Sequence, residues 1–224
     1  VIEAMERFDF ASVEWVVRFE NTGAGDTPIL ENIQALSASF GPSGEGPYTL
    51  HHALGSHAQI DDFSFQQTTV SPDGSFSLSP YEGRSSDGAL PFFNVEYPGD
   101  SGVVLGIGWT GQWAVSATRA SAGPLQVQAG MEHTHLRLYP GESFRTPSIT
   151  LLFYTGADYY RGQVFFRRLL QAQYVPKSEG VPIPPSARYK FCPQRRGAGW
   201  CIVVHHRSLA RPSRVRGASL FLVA

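Results

Sequence analysis

The chain has 224 residues, of which 42% are hydrophobic and 12% aromatic, a composition typical of a globular protein rather than a disordered one. No apolar run approaches the ~20 residues of a membrane-spanning helix, and the first residues lack the basic start and apolar core of a signal peptide. Eight of the 18 Lys and Arg residues follow Ala187, which leaves ten against all 19 Asp and Glu, a net charge of −9 in the preceding part. Such an acidic body is a poor nucleic-acid binder, because phosphate contacts need neutralising cations.

The first predicted elements are short strands. From Val13 to Glu20 apolar residues alternate with charged or polar ones, which is the period-two pattern of a half-buried strand. A turn at residues 21–28 precedes a second strand or short apolar element, and the glycine- and proline-rich residues 40–48 predict a loop. Asp73-Gly74 between short β-type runs predicts a hairpin.

Between residues 89 and 154 six further strand-like runs are separated by turn residues. This succession is typical of an antiparallel sandwich or barrel. Residues 157–175 break the rhythm, because the apolar residues from Phe165 to Leu170 recur at spacings of three and four. They predict an amphipathic helix with Asp158 as its N-cap. The predicted fold class is therefore all-β, an antiparallel β-sandwich with a C-terminal amphipathic helix.

The composition predicts three segments. Residues 1–175 form the sandwich, residues 176–187 form a stiff, extended proline-rich linker, and residues 188–224 form an atypical basic tail. The tail contains Cys192, Cys201, His205 and His206, but their spacing fits a closed zinc site poorly. We expect a mobile, disordered or frame-shifted tail, because its sequence has abundant arginine, no acidic residue and no clear amphipathic periodicity.

Two motifs suggest ligand sites and have simpler interpretations. Gly106, Gly108 and Gly111 match a dinucleotide-binding pattern, but alternation rather than a helix follows, which predicts a tight connection between two antiparallel strands. His133 and His135 would share one face of a strand, as in a cupin-like metal site, yet Glu142 lies too far along to complete it. The expected reading is an exposed polar strand face without metal.

The remaining candidate residues suggest carbohydrate contact. Three histidines, His51, His52 and His57, lie close together in the sequence and could suggest a metal site. Because adjacent residues of a strand point to opposite faces, we expect no metal there. Asp61 and Asp62 are also adjacent, so we do not expect them to form an acid–base pair. Aromatic rings stack on the apolar face of sugars, and fixed polar donors complete such a site. The candidate carbohydrate contacts are His51, Arg84, Trp109 and Trp113, while Trp15 and Phe93 fit the sandwich core.

Several of these motifs occur together in a known family. Gly83-Arg84-Ser85-Ser86 leading into Pro91-Phe92-Phe93, then residues 106–113, the run 140–147 and the helix at 165–170 appear in one order. In that order they resemble the amino-terminal β-supersandwich domain of the α-galactosidases of glycoside hydrolase family 36, over most of residues 13–176. The resemblance implies a parent enzyme that cleaves terminal α-galactosides with retention, using two aspartates on a (β/α)8 barrel. That barrel needs about 250 further residues, so the resemblance implies a fragment of a longer product, with no catalytic residue in this chain.

The sequence thus predicts a non-catalytic accessory domain that shapes the active-site rim and contributes to domain or oligomer contacts. Its expected partners are the catalytic barrel, a carbohydrate bound through the parent enzyme, and a second copy of the chain, with no specific nucleic acid and no membrane. We expect no cofactor, no metal and no hydrolysis by this chain alone. The alternatives are a free-standing lectin-like module and a cupin-like metal site at His133 and His135.

Overall fold

Strands dominate the chain. The computed structural model describes residues 1–183 and the backbone of residues 187–191 and 202–206. The chain divides into a first unit, Val1–Leu170, and a second unit, Gln171–Ala224. The strands of the first unit are β1 (Ile2–Arg7), β2 (Ser12–Glu20), β3 (Leu30–Glu31), β4 (Gln34–Phe40), β5 (Tyr48–Ala53), β6 (Phe65–Val70), β7 (Ser75–Leu78), β8 (Phe92–Glu96), β9 (Ser101–Gly108), β10 (Trp113–Thr118), β11 (Leu125–Met131), β12 (His135–Leu136), β13 (Ser143–Arg145) and β14 (Ser148–Thr155). The helix α1 spans Tyr159–Gln173, and Phe8–Phe10 form a 3-10 turn.

Two antiparallel sheets form the sandwich of the first unit, and β3 pairs with β12 in a separate two-stranded sheet. The large sheet has eight strands in the order β1-β2-β14-β9-β8-β5-β6, with β13 also paired to β2. The small sheet has four strands in the order β4-β11-β10-β7. Their inner faces share one hydrophobic core, in which Phe93 of the large sheet meets Trp113 of the small sheet with ring centroids 5.7 Å apart. The predicted antiparallel sandwich is therefore confirmed.

Two predicted connections differ from the structure. Asp73-Gly74 does not close a hairpin, because β6 pairs with β5 in the large sheet whereas β7 pairs with β10 in the small sheet. The glycine-rich segment after β9 likewise leads into β10, which lies in the opposite sheet. Both segments are turns, as their residues predict, but each turn carries the chain from one sheet of the sandwich to the other.

The helix α1 is anchored as its sequence predicts. Asp158 caps it, since its side-chain oxygen accepts a hydrogen bond of 2.9 Å from the backbone N–H of Tyr160. Phe166 and Leu169 are buried against Val104, Leu152 and Tyr154 on the outer face of the large sheet. The helix thus covers part of the sheet face that the sandwich core leaves open.

After the end of α1, the described strands of the second unit are short and paired. Within the segment predicted as a linker, β15 (Lys177–Ser178) and β16 (Val181–Pro182) pair antiparallel. Glu179 and Gly180 between them both have positive φ, which suits a two-residue hairpin turn. In the backbone, β17 (Ala187–Phe191) pairs with β18 (Ile202–His206). The tail prediction falls mainly on residues 192–201 and 207–224, which lie outside the described residues. None of the helices in the described ranges is long and apolar enough to span a membrane.

Candidate functional site

Trp113 lies inside the molecule rather than on a binding surface. Its side chain is 0% exposed in the core between the two sheets. Its indole Nε1 donates a hydrogen bond of 2.8 Å to the carbonyl of Ser85. Trp113 therefore holds the loop that contains Arg84 from the core side. Its own ring offers no face to a sugar.

His51 is also buried, on the outer face of the large sheet. Its ring stacks on Tyr159 at the start of α1, with centroids 3.8 Å apart, and its Nε2 lies 2.9 Å from a carboxylate oxygen of Glu96. The hydrogen bond from Tyr154 to Asn94 and the bond from Asn94 to the Tyr159 carbonyl, 2.8 and 2.9 Å, complete this arrangement. Burial raises the pKa of Tyr154 to about 12, so its hydroxyl remains a donor at neutral pH. This cluster attaches α1 to the sheet.

Arg84 and Trp109 are the two predicted contacts that reach solvent. Trp109 is half-buried at the edge of the core, and the guanidinium of Arg145 lies 5.8 Å from its ring centroid. The Arg84 side chain is 66% exposed and is paired with Glu82 at 2.9 Å and with Asp87. The structure therefore buries Trp113 and His51. Contact of Arg84 and Trp109 with carbohydrate stays a prediction.

Residues of the loop from Tyr81 to Gly88 form a cluster with His57. Of the loop residues in this cluster, the sequence indicated only Arg84 as a candidate for ligand contact. Asp87 is a buried carboxylate, 4% exposed, that contacts Arg84 and lies 2.6 Å from His57 Nδ1. The Tyr81 ring packs beside His57, with centroids 5.1 Å apart. A buried carboxylate is stable as an anion only when cationic or donor groups compensate for its lost hydration. The cluster thus fixes the loop and presents Tyr81 and Arg84 outward.

Two cavities lie on the outer faces of the sheets. The apolar one, about 200 Å³, lies between α1 and the large sheet and is lined mainly by Phe65, Phe92, Val104, Phe166 and Leu170. The polar one, about 370 Å³, is a groove on the outer face of the small sheet, and we call it the polar groove. Its lining includes Gln34, Ser77, Ser116, Gln128 and Glu132, with Tyr81 at one side. The alternation of serine and glutamine with apolar residues in β7, β10 and β11 was the sequence signal for this face.

The histidines of the cupin-like alternative do not share a strand. His133 lies in a turn after β11, and only His135 belongs to the two-residue strand β12. Each is exposed beside its own acid, His133 at 3.7 Å from Glu132 and His135 at 3.2 Å from Glu31. Within the described residues no group of three His, Cys, Asp or Glu side chains could hold a metal ion. Cys192 and Cys201 lie outside the described residues, as do the side chains of His205 and His206.

The chain is similar to known proteins in structure rather than in sequence. No protein-family model matches the sequence, and no curated protein is significantly similar to it. The galactosidase domain of the α-galactosidase–sucrose kinase AgaSK is similar with a TM-score of 0.55 and 20% identity, over 65% of this chain and 20% of that chain. The α-galactosidase of Lactobacillus brevis has a TM-score of 0.59 and 16% identity, over 71% of this chain and 22% of that chain.

The family 36 α-galactosidase AgaA of Geobacillus stearothermophilus, crystallised with stachyose, has a TM-score of 0.60 and 20% identity, over 75% of this chain and 23% of that chain. The resemblance inferred from the motifs is thereby confirmed at the level of the fold. The chain spans only about a fifth of the length of these enzymes. It has the fold of a domain that occurs in α-galactosidases.

Proposed function

We propose that this chain is a non-catalytic accessory domain of an α-galactosidase-like glycoside hydrolase. In this role it shapes the rim of the active site and contacts the catalytic domain or a second copy of the chain. The observation that carries the proposal is the shared fold, which covers 65–75% of this chain but only about a fifth of α-galactosidase chains. Most of the length of those enzymes thus lies outside the region that matches this chain.

The loop between β5 and β6 supports a contact role. Ile60 is fully exposed in this loop, and Phe63, which has a positive φ of 63°, is largely exposed as well. The Asp62 carboxylate accepts hydrogen bonds from the Ser56 hydroxyl at 2.6 Å and from the His57 amide at 2.9 Å. These bonds lower the pKa of Asp62, so the loop keeps its acceptor at neutral pH. An ordered loop that displays apolar side chains is typical of a protein–protein contact.

The edge of the large sheet offers a second apolar surface. Strand β1 pairs with β2 on one side only, and Ile2, Met5 and the neighbouring Phe8 are largely exposed. An exposed apolar edge strand favours association unless another element covers it. Both surfaces suit a domain that is packed against a larger partner.

Neighbouring side chains hold two carboxylates of the described cavities and loops. Asp87 is held by Arg84 and His57, and Glu132 by Ser79 and Gln112. A retaining glycosidase instead uses two carboxylates about 5–5.5 Å apart on either side of the scissile bond. The engaged state of these acids supports placing the chemistry in another domain.

The direct test is an assay of the purified full chain on p-nitrophenyl α-galactoside. We expect no rate above that of buffer. A rate that survives purification and is lost in the Glu132→Gln or Asp87→Asn variant would contradict the proposal, because the chain would then carry its own catalytic acid.

The contact role is tested in trans with the Lactobacillus brevis α-galactosidase lacking its matched domain. We expect the chain to bind this protein and restore part of its hydrolysis. The double variant Ile60→Ser and Phe63→Ser should bind more weakly. Ile29→Ser, which replaces an exposed apolar residue outside both contact surfaces, is the matched control and should bind as the unmodified chain does.

A further inference from the structure

The outer face of the small sheet is polar but carries no charge on its strands. Cross-strand pairs place Ser37, Gln128, Ser116 and Ser77 in one row across β4, β11, β10 and β7. The next row toward the other end pairs Ser39, Gln126, Thr118 and Ser75. Sheet faces exposed to water ordinarily carry charged side chains that favour solubility. An array of hydroxyls and amides instead offers both donors and acceptors to an uncharged ligand.

A depression interrupts this face. Ala114 of β10 pairs with Gly130 of β11, so the middle of that row has almost no side-chain volume. A β-bulge at Ala35 of β4 shifts the register and brings Gln34 opposite Gly130, which turns the Gln34 side chain to the outer face. Gln34 and Gln128 therefore stand beside a floor of small residues. This explains why the polar groove, about 370 Å³, forms on an otherwise flat sheet.

A fixed aromatic ring borders the groove. Tyr81 is 59% exposed, yet its ring rests on the backbone of Gly88, where an added Cβ would lie 2.2 Å from Tyr81 Cδ2. The ring also packs beside His57, which contacts the buried Asp87. An exposed aromatic ring that is held in place forms a stacking surface without a large loss of side-chain entropy on binding.

A single carboxylate lies at the end of the groove and is oriented from two sides. Gln112 donates a hydrogen bond of 2.6 Å to Glu132, and the Ser79 hydroxyl donates one of 3.2 Å. Gln112 is itself fixed, because its side-chain oxygen accepts a hydrogen bond of 2.8 Å from the Gly83 amide. A preoriented carboxylate is a strong acceptor for neighbouring hydroxyl donors and repels anions.

We propose that the polar groove binds a neutral carbohydrate, with Tyr81 stacking on a sugar ring and Gln34, Gln128 and Glu132 bonding to its hydroxyls. Three independent features agree on this ligand class. The face is rich in hydroxyls and amides, it has a rigid aromatic border, and its one charge would disfavour an acidic sugar. The proposal goes beyond the accessory role and holds or fails separately from it, because it concerns ligand binding by this chain alone.

The test is a titration of the ¹⁵N-labelled full chain with raffinose, maltotriose and trigalacturonic acid, followed by amide chemical shifts. At least one neutral sugar should give saturable shifts centred on Ser116 and Gln128, with a dissociation constant on the order of millimolar. Trigalacturonic acid should bind more weakly. Tyr81→Ala should weaken binding of the neutral sugar about tenfold, whereas Tyr81→Phe should retain most of it.

Two further variants separate binding from folding. Tyr139→Ala removes a tyrosine of similar exposure, 55%, outside the groove and should leave the affinity unchanged. Ala114→Leu fills the floor without removing any polar group and should abolish the shifts. Absence of saturable shifts with both neutral sugars would overturn the proposal. It would also be overturned by shifts located elsewhere, by equal affinity for trigalacturonic acid, or by equal effects of Tyr81→Ala and Tyr139→Ala.

Discussion

At the scale of single residues, burial distinguishes side chains that look equivalent in the sequence. Trp109 and Trp113 flank the same glycine-rich turn, yet Trp109 is half-buried at the core edge and Trp113 is wholly buried with its N–H bonded to Ser85. His51 and His52 are adjacent but occupy opposite faces of β5. His51 faces α1, whereas the half-buried His52 packs beside Phe76 and Phe93.

Replacing Trp113 tests its structural role. Trp113→Ala should lower the free energy of unfolding by about 3–5 kcal/mol, because it removes a large buried side chain and leaves the Ser85 carbonyl without its donor. Urea denaturation followed by far-UV circular dichroism measures the loss. Trp109→Ala, at the partly exposed neighbour, should cost clearly less. Equal losses for the two variants would argue against a core role specific to Trp113.

The partly buried position of His52 predicts acid sensitivity. Burial lowers the pKa of His52 below 6.5, and the neighbouring His51 lowers it further when charged. Because the unfolded chain then binds the proton more readily, this contribution to stability is complete above about pH 6.5 and is lost as the pH falls below it. We expect His52→Phe to reduce the loss of unfolding free energy between about pH 7.5 and about pH 5.

His133→Gln provides the control for the pH experiment, because His133 is an exposed histidine in a turn. His52→Phe should lose less unfolding free energy than His133→Gln between about pH 7.5 and about pH 5. Equal losses in the two variants would mean that the acid sensitivity arises from other groups.

At the scale of elements, the close approach of α1 to the large sheet depends on Gly162. A Cβ added there would lie 2.5 Å from Cδ1 and Cε1 of the buried Tyr154. On an isolated helix, glycine is about 1 kcal/mol less favourable than alanine. In this position packing outweighs helix propensity, because Tyr154 also bonds to Asn94 and cannot move freely.

Gly162→Ala should therefore destabilise the protein by about 1–3 kcal/mol, the usual cost of overpacking, instead of stabilising it. Val164→Ala, at a partly exposed position of the same helix, is the control and should change stability by less than about 0.5 kcal/mol. Thermal and urea unfolding measure both. A stabilised Gly162→Ala variant would show that the helix can shift away from Tyr154.

At the scale of the whole first unit, the chain passes repeatedly between the two sheets. The connections from β6 to β7 and from β9 to β10 both cross from the large sheet to the small one. Neither sheet is formed from one continuous stretch of sequence, and both contribute to one core. The two sheets should therefore fold as one cooperative unit.

Paired core truncations test this cooperativity. Leu105→Ala in the large sheet and Val115→Ala in the small sheet should each lower the midpoint of one shared unfolding transition, by amounts that correspond to about 2–5 and about 1–3 kcal/mol. Tryptophan fluorescence and far-UV circular dichroism should report coincident transitions. Two separate transitions, each moved by one variant alone, would mean that the sheets unfold independently.

The sequence by itself determined the local features of this protein. Alternation located most strands, the three-and-four spacing located α1, and Asp158 identified its cap, because each signal depends on neighbouring residues only. The ordered motifs also pointed to the family whose fold the structure shares. Only the tertiary structure decided which strands pair, since period-two alternation specifies the faces of a strand but not its neighbour. It alone buried Trp113 and His51, and it alone formed the polar groove, because a bulge in β4 and distant small residues meet there only after folding.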